Sequence, residues 1–142
     1  WRSIGSARAV QDRTAAILHD VGLADKAHHP AASLPYADQR TLEIAITIAC
    51  GADVILLDEP TAGMSHSETE RAVALIERAT VGKTLVVVEH DMNVVFGLAD
   101  RISVLVYGEI IASGPPETIR GDRKVREAYL GDEAAFLGGE AA

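Results

Sequence analysis

The chain has 142 residues, of which 48% are hydrophobic, and its 21 acidic and 13 basic side chains give a formal net charge of −8. This length and composition suit one soluble globular domain and exclude a disordered polyelectrolyte. No apolar run reaches the roughly 18 residues of a membrane span, so a transmembrane anchor is also excluded as the main structure. Nucleic acid is not an expected partner, because its binding rests on clustered Lys and Arg side chains that this sequence lacks.

The cysteine content and the start of the chain bear on its compartment. Cys50 is the single cysteine and has no partner for an internal disulfide, and the first residues do not have the pattern of a signal peptide. The cytosol is therefore the expected compartment. Because the chain begins at Trp1 and its only methionines are Met64 and Met92, we expect it to be part of a longer polypeptide.

Two helices are predicted in the front part of the chain. Apolar residues recur every three or four positions from Val10 onward, and Gly22 stands where a helix C-cap is expected. Little periodicity in residues 24–33 predicts a connecting loop. Apolar and polar residues then alternate at helical spacing between Pro35 and Gly51, which predicts a second amphipathic helix.

A strand, a helix and a second strand are predicted next. The uninterrupted apolar run from Val54 to Leu57 is typical of a strand that is buried on both faces inside a parallel sheet. Ser65 or Ser67 can cap a helix that Gly82 ends, and the run from Leu85 to Val88 predicts another buried strand. In this order the elements form a right-handed crossover unit.

The last third of the chain predicts shorter elements. A short helix is expected around Val94–Ala99, and the segments Ile102–Val106 and Glu109–Ala112 form either a hairpin or two adjacent edge strands. Short helices are expected from Pro115 to about Leu130, and a frayed tail from Gly138 to Ala142.

The predicted elements divide the chain into two parts. Residues 1–50 form part of a helical subdomain, and residues 51–142 form the α/β part with a helical tail. The fold class is α/β, with a mostly parallel sheet and flanking helices.

Two acidic side chains directly follow the first predicted strand. Ligands bind at the carboxyl ends of parallel strands, and Asp58 and Glu59 stand at that position. In a nucleoside triphosphatase the first carboxylate would hold Mg²⁺, usually through water, and the second would orient or deprotonate the attacking water. Taken alone, the pair fits equally well an acidic strand end that caps the next turn.

Two further features lie on either side of this pair. His90 follows the second strand, at the same edge of the sheet as Glu59, where it can contact a terminal phosphate; a lone histidine here is more often a solvent-facing or capping residue. Residues Ser33 to Arg40 lead into the second helix, whose free N–H groups and dipole favour an anion. The same stretch fits a loop in which Asp38 is the helix N-cap.

Together these motifs resemble the ATP-binding subunits of ABC transporters, from the signature loop to the C-terminus. The motifs, in order, are the signature (Leu34–Arg40, continuing through Leu42–Ala45), Walker B (Val54–Glu59), the D-loop (Thr61–Ser65) and the switch His90. The residues Leu42–Ala45, Thr61–Ser65, Val88–Met92 and Arg126–Gly131 are most similar to those of the branched-chain amino acid importers.

The resemblance implies a P-loop nucleoside-triphosphatase-like fold, present as an incomplete domain, with ATP and Mg²⁺ as cofactors. It implies that Asp58 binds Mg²⁺, that Glu59 is the catalytic base and that His90 senses the γ-phosphate. The signature residues would face the ATP held by a partner, and Ser65 belongs to the D-loop; the signature set is Leu34, Pro35, Tyr36, Ala37 and Asp38. Implied partners are a second ABC ATPase subunit, transmembrane permease subunits and, indirectly, an extracytoplasmic solute-binding protein. The subunit would lie on the cytoplasmic face of the cell membrane.

The sequence departs from the family pattern in two places. The phosphate-cradling Walker A loop needs Gly, four residues and then Gly-Lys-Ser/Thr after a strand; Gly82-Lys83-Thr84 is the only similar triplet, but Glu77 replaces the first glycine and a strand follows. We therefore predict a turn there. In the signature, Pro35, Tyr36, Ala37 and Asp38 replace the family's Ser, Gly, Gly and Gln.

Three interpretations remain open at this point. The chain is either part of a working importer ATPase or a truncated or degenerate non-catalytic ABC piece, and a non-transport ABC ATPase is a further alternative. Because the strand before Walker A normally lies centrally in the sheet, we expect the chain alone to be marginally stable and to associate through unpaired apolar edges.

Overall fold

The computed structural model describes residues 4–128, with side chains from residue 7 onward. These residues fall into two compact units that divide between Val88 and Glu89. The predicted tail at Gly138–Ala142, and the Tyr129–Gly131 end of the last motif, lie outside the described residues. Among the residues described, no helix combines the length and the apolar character needed to cross a membrane.

Two helices form the front of the first unit, as predicted. Helix α1 (Ile4–Asp20) is followed by Gly22, whose φ of +73° and N–H bond to the His19 carbonyl, at 3.0 Å, end the helix. Helix α2 (Tyr36–Ala49) contacts α1, and the Arg13 Nη2 donates to the Ala49 carbonyl at 3.1 Å. The segment predicted as a loop contains two single-turn 3₁₀ helices, Ala24–Lys26 and Ala31–Ser33.

The predicted strand–helix–strand unit completes the first unit. Strand β1 (Val54–Asp58) pairs in parallel with β2 (Thr84–Val88), and α3 (His66–Ala79) connects them. The register runs from Val54 opposite Thr84 to Asp58 opposite Val88. The residues of β1 and β2 pair one to one up to the last residue of each strand. The carboxyl ends of the two strands therefore lie side by side at one edge of the sheet.

The expectation that both strands are buried on both faces is wrong for the described residues. In β1, Ile55 is 2% exposed, whereas Val54 and Leu56 on the other face are 52% and 69% exposed. In β2, Val86 and Val88 are also exposed. Each strand pairs with one neighbour in this part of the chain, and α2 contacts β1. An apolar run predicts which side chains can be buried, but not whether another element covers them.

The second unit contains a hairpin and three short helices. Helix α4 (Met92–Leu98) precedes β3 (Ile102–Val106) and β4 (Glu109–Gly114), which pair antiparallel, so the hairpin alternative is confirmed. Helices α5 (Pro116–Gly121) and α6 (Arg123–Ala128) follow. Tyr107 and Gly108 form the tight turn, both at positive φ, as two-residue hairpin turns require.

The second unit has its own apolar core. Its members come from the helices and from the inward face of the hairpin: Met92, Val95, Ile102, Val104, Ile119 and Val125. Phe96 packs against this core, and the Arg120 guanidinium lies 3.8 Å from the centre of its ring. The cation is thus held over an aromatic face.

Candidate functional site

The acidic pair Asp58–Glu59 stands at the carboxyl end of β1. Both side chains are exposed, and Asp58 lies opposite Val88 in the register. The Glu59 N–H donates to the Val88 carbonyl at 2.8 Å, so the parallel ladder continues one residue beyond the strand. The sheet therefore fixes the backbone of both acids while their carboxylates reach solvent.

Glu59 has a backbone conformation that is unusual for its residue type. Its φ is +43°, in the left-handed region where residues other than glycine are disfavoured. The Glu59 carbonyl accepts from the Ala62 N–H at 3.2 Å, and the next two residues, Pro60 and Thr61, are buried. The chain therefore turns sharply at the candidate base, and strained residues of this kind concentrate at functional sites.

His90 is the second residue of the second unit. Its side chain is exposed, and its backbone N–H donates to the Glu89 carboxylate at 3.2 Å. The next residue, Asp91, caps α4 by accepting from the Asn93 N–H at 2.9 Å. The position of His90 relative to Glu59 stays a prediction.

The predicted signature forms the start of α2. Leu34 is buried, Pro35 is the N-cap residue, and the Pro35 carbonyl accepts from the Gln39 N–H at 3.0 Å. The Gln39 side chain also donates to the Leu34 carbonyl at 2.8 Å, which ties the helix back to the loop before it. Ala37 lies in the first turn, between Tyr36 and the acidic residue that follows.

The alternative in which Asp38 caps α2 is wrong, because Asp38 lies inside the first turn and its carboxylate binds elsewhere. The Lys26 ammonium donates to Asp38 Oδ2 at 2.5 Å, and both side chains are partly buried. This hydrogen bond is the main reason why the pKa of Lys26 is raised. A positive charge therefore compensates the acid that replaces the family's glutamine.

The Tyr36 side chain lies between Arg40 of α2 and Gly63. Its hydroxyl accepts from Arg40 Nε at 3.1 Å, and Arg40 Nη1 donates to Glu43 at 2.7 Å. The bond to Glu43, followed by the bond to Tyr36, raises the pKa of Arg40. The ring of Tyr36 lies against Gly63, in the predicted D-loop.

Ser65, the last residue of the predicted D-loop, starts α3. Its hydroxyl and its backbone N–H both donate to Glu68 Oε2, at 2.6 and 2.7 Å, in a capping box. The hydroxyl bond, and then the N–H bond, lower the pKa of Glu68. Of the two serines that the sequence allowed as caps, Ser65 is the one used.

The triplet Gly82-Lys83-Thr84 is a turn, as predicted. Gly82 has a φ of +74°, the Lys83 N–H donates to the Thr80 carbonyl at 2.9 Å, and Thr84 begins β2. Its backbone thus connects a helix to a strand, the reverse of a phosphate-cradling loop.

The side chains at this strand end fit a magnesium ion that also binds water and phosphate better than a metal ion whose ligands all come from the protein. Within residues 7–128, no three His, Cys, Asp or Glu side chains gather into a metal-binding group. Mg²⁺ usually takes one or two carboxylates together with water and substrate phosphates. The exposed Asp58 carboxylate at the strand end matches that pattern.

Three contacts that shape this site, made by Lys26, Gly63 and Glu68, were not predicted from the sequence. Lys26 is 12 residues from Asp38, with no local pattern that links them. Gly63 lies 27 positions after Tyr36 and contacts it only through the fold. Glu68 could have been found, since Ser-x-x-Glu before an apolar periodic run is the pattern of a capping box.

Comparison with known proteins gives matches over most of the chain. The family model "ABC transporter" matches residues 3–62, and the model "Branched-chain amino acid ATP-binding cassette transporter" matches residues 109–135. The high-affinity branched-chain amino acid transport ATP-binding protein LivG of Escherichia coli is 42% identical over 123 residues, which cover 85% of this chain and 48% of that protein. BraF of Pseudomonas aeruginosa, with the same description, is 38% identical over 129 residues, covering 89% of this chain and 51% of BraF.

Solved structures with the same fold are ATP-binding cassettes. MJ1267 in its ADP conformation superposes with a TM-score of 0.73 at 26% identity, covering 84% of this chain and 49% of that one. The dimeric MJ0796, bound to ADP and Pi after hydrolysis, superposes with a TM-score of 0.71 at 28% identity, covering 82% and 51%. The chain thus spans about half the length of the proteins it matches.

The fold is that of about half of a P-loop nucleoside-triphosphatase domain of the ATP-binding cassette type. In sequence the chain is similar to the ABC transporter family of ATP-binding proteins. Within that family it is similar to the ATP-binding proteins of branched-chain amino acid transport.

Proposed function

We propose that the chain is part of an ATP-hydrolysing subunit that powers an importer for branched-chain or related amino acids. The observation that carries the proposal is the acidic pair at the end of β1, on a backbone that the parallel ladder fixes up to Glu59. The similarity to LivG and BraF supports the amino acid class of the cargo.

In this proposal Glu59 is the catalytic base. The oxygen of a water attacks the γ-phosphorus, the Glu59 carboxylate accepts a proton from that water, and the bond from the γ-phosphorus to the bridging oxygen of ADP breaks. ADP and phosphate are the products. The Glu59 carboxylate is exposed on a fixed backbone, which suits a base that must reach a bound nucleotide.

Asp58 and His90 take the remaining roles in this proposal. Asp58 would hold Mg²⁺, usually through water, and the ion would neutralise charge on the β- and γ-phosphates. His90 would contact the γ-phosphate and sense its presence.

The signature belongs to a second nucleotide. Residues Leu34 to Asp38 would face the ATP held by a second ABC ATPase subunit, with Ser65 in the adjoining D-loop. Closure of the two subunits around ATP would move transmembrane permease subunits, to which a solute-binding protein delivers the cargo. The subunit would then work at the cytoplasmic face of the membrane. The 142-residue chain alone is expected to hydrolyse no ATP, since its sequence contains no Walker A loop.

The substitution Glu59→Gln in the intact subunit tests the central assignment. It keeps the size of the side chain and removes the proton acceptor, so hydrolysis should stop while ATP binding persists. Glu77→Gln, on an exposed position of α3, is the matched control and should leave the rate unchanged. Phosphate release and binding of a fluorescent ATP analogue measure the two properties.

Retained hydrolysis in Glu59→Gln would refute its role as the base. An intact subunit that neither binds nor hydrolyses ATP would favour the degenerate, non-catalytic alternative. The cargo is tested by uptake of labelled leucine in cells that lack the subunit: the unsubstituted protein should restore uptake and Glu59→Gln should not.

A further inference from the structure

Gly63 differs from the other glycines of similar backbone conformation in what surrounds it. Gly22, Gly63 and Gly82 have φ values of +73°, +73° and +74°. A Cβ added at Gly22 or Gly82 would meet nothing within 4 Å. A Cβ added at Gly63 would lie 3.0 Å from Tyr36 Cε1 and 3.5 Å from its Cζ, closer than ordinary van der Waals contact at the first of these atoms.

The tyrosine that makes this contact is held from its other end. Its hydroxyl accepts from Arg40 Nε, and Arg40 is itself paired with Glu43, so the ring is tied to the first two turns of its own helix. The Arg40 guanidinium also lies 5.7 Å from the ring centre. A side chain at position 63 would therefore have to displace this half-exposed ring together with its contact to Arg40.

The loop on the other side of the contact connects two candidate site residues. It runs from Glu59 to Ser65 through two turn bonds, Ala62 N–H to the Glu59 carbonyl and Met64 N–H to the Thr61 carbonyl, each 3.2 Å. A displacement at Gly63 would thus be transmitted to Glu59 on one side and to Ser65 on the other.

We infer that Tyr36 is a positioning residue: its ring, seated on Gly63, fixes the Thr61–Ser65 loop relative to the first turn of α2. This inference rests on the proposed function. The signature and the D-loop of one subunit would then move together, as a rigid unit, toward the nucleotide held by the other subunit. Tyr36, the bulky residue in the signature, thus has a structural role, because its ring fills the space beside Gly63.

The experiment compares glycine variants in the intact subunit. Gly63→Ala should lower kcat for ATP about tenfold, because a misplacement of about 1 Å can cost about a hundredfold and the shift expected here is smaller. Its KM for ATP should stay within about twofold, as expected when an interaction matters after nucleotide binding. Gly22→Ala and Gly82→Ala have the same unfavourable φ but no contact, so they should lower stability and leave kcat unchanged.

A double substitution tests whether Tyr36 is the partner. Tyr36→Ala should also lower kcat, and Tyr36→Phe, which keeps the ring, should lose far less. Tyr36→Ala combined with Gly63→Ala should be no slower than Tyr36→Ala alone, because the ring that the new methyl group meets is gone.

The outcomes separate this inference from the function on which it rests. The positioning role is refuted if Gly63→Ala behaves like Gly22→Ala and Gly82→Ala. It is also refuted if the fold-losses in kcat of Gly63→Ala and Tyr36→Ala multiply in the double variant. Hydrolysis by the unsubstituted subunit would stand in both cases. A fall in stability of Gly63→Ala without a fall in kcat refutes the positioning role as well. An unsubstituted subunit without ATPase activity refutes the proposed function itself.

Discussion

Replacing Ser65 by alanine removes the hydroxyl that joins the start of α3 to Glu68. The hydroxyl donates to Glu68 Oε2 at 2.6 Å, and the same oxygen accepts from the Ser65 N–H at 2.7 Å. Ser67, two residues further along, is exposed inside the first turn of α3. It is therefore the matched control, with the same side chain, the same helix and no capping role.

Ser65→Ala removes one hydrogen bond, from the hydroxyl to Glu68, and keeps the bond from the Ser65 N–H. Removing a serine N-cap typically costs about 1 kcal/mol, which is roughly a fivefold fall in the ratio of folded to unfolded protein. Ser67→Ala should have no such effect, and should even stabilise slightly, because alanine is the better helix former by a few tenths of a kcal/mol.

The effect of Ser65→Ala should also depend on pH. The two bonds from Ser65 lower the pKa of Glu68 from its ordinary value of 4.5. A carboxylate with a lowered pKa stabilises the folded state above the unfolded pKa, and this stabilisation is lost as the pH falls through the lowered value. The difference between the unsubstituted protein and Ser65→Ala should therefore be full at neutral pH and shrink below pH 4.5.

Urea unfolding of the intact subunit, followed by far-ultraviolet circular dichroism, measures these differences at each pH. Equal effects of Ser65→Ala and Ser67→Ala would show that the capping box does not stabilise α3. A difference that grows on acidification would contradict the assigned direction of the Glu68 pKa.

Two further substitutions test the burial pattern and the charge at the signature. In the 142-residue chain, Ile55→Ala should lower the free energy of unfolding by about 3 kcal/mol and remove most of the folded population. Leu56→Ala should change it by less than about 0.5 kcal/mol. Circular dichroism compares the two variants, and equal losses would contradict one-sided burial of β1. In the intact subunit, Lys26→Met should raise the KM for ATP at low salt, because the Asp38 charge then repels phosphate. Adding Asp38→Asn to the Lys26→Met variant should restore the lower KM. A KM of Lys26→Met that does not change with salt concentration would refute the electrostatic argument.

Local patterns were sufficient to predict most of the elements. The period of the apolar residues gave α1 and α2, and the two aliphatic runs around α3 gave the parallel pair. These predictions succeed because the period of the apolar residues is a signal that lies within a few positions, even though no described side chain of α1 or β2 is fully buried.

The parts that could not be predicted depend on contacts between distant residues. Whether Leu56 is covered depends on what packs over it, and its apolar character is the same in both cases. The salt bridge from Lys26 to Asp38 and the seat of Tyr36 on Gly63 arise only when α2 is folded against its surroundings. The positive φ of Glu59 likewise has no signature in its own residue type.

On the proposed function, the left-handed backbone of Glu59 sets stability against catalysis at a single position. At its φ of +43°, asparagine or glycine is the more comfortable residue, by the order of 1 kcal/mol. Selection for backbone comfort alone would therefore favour another residue here, whereas the proposed role of Glu59 as proton acceptor would favour the glutamate. A descendant of this chain that no longer needed to split ATP would be free to drift to asparagine or glycine here and would become more stable by doing so. The residue found at position 59 then reports whether a lineage still uses its ATPase.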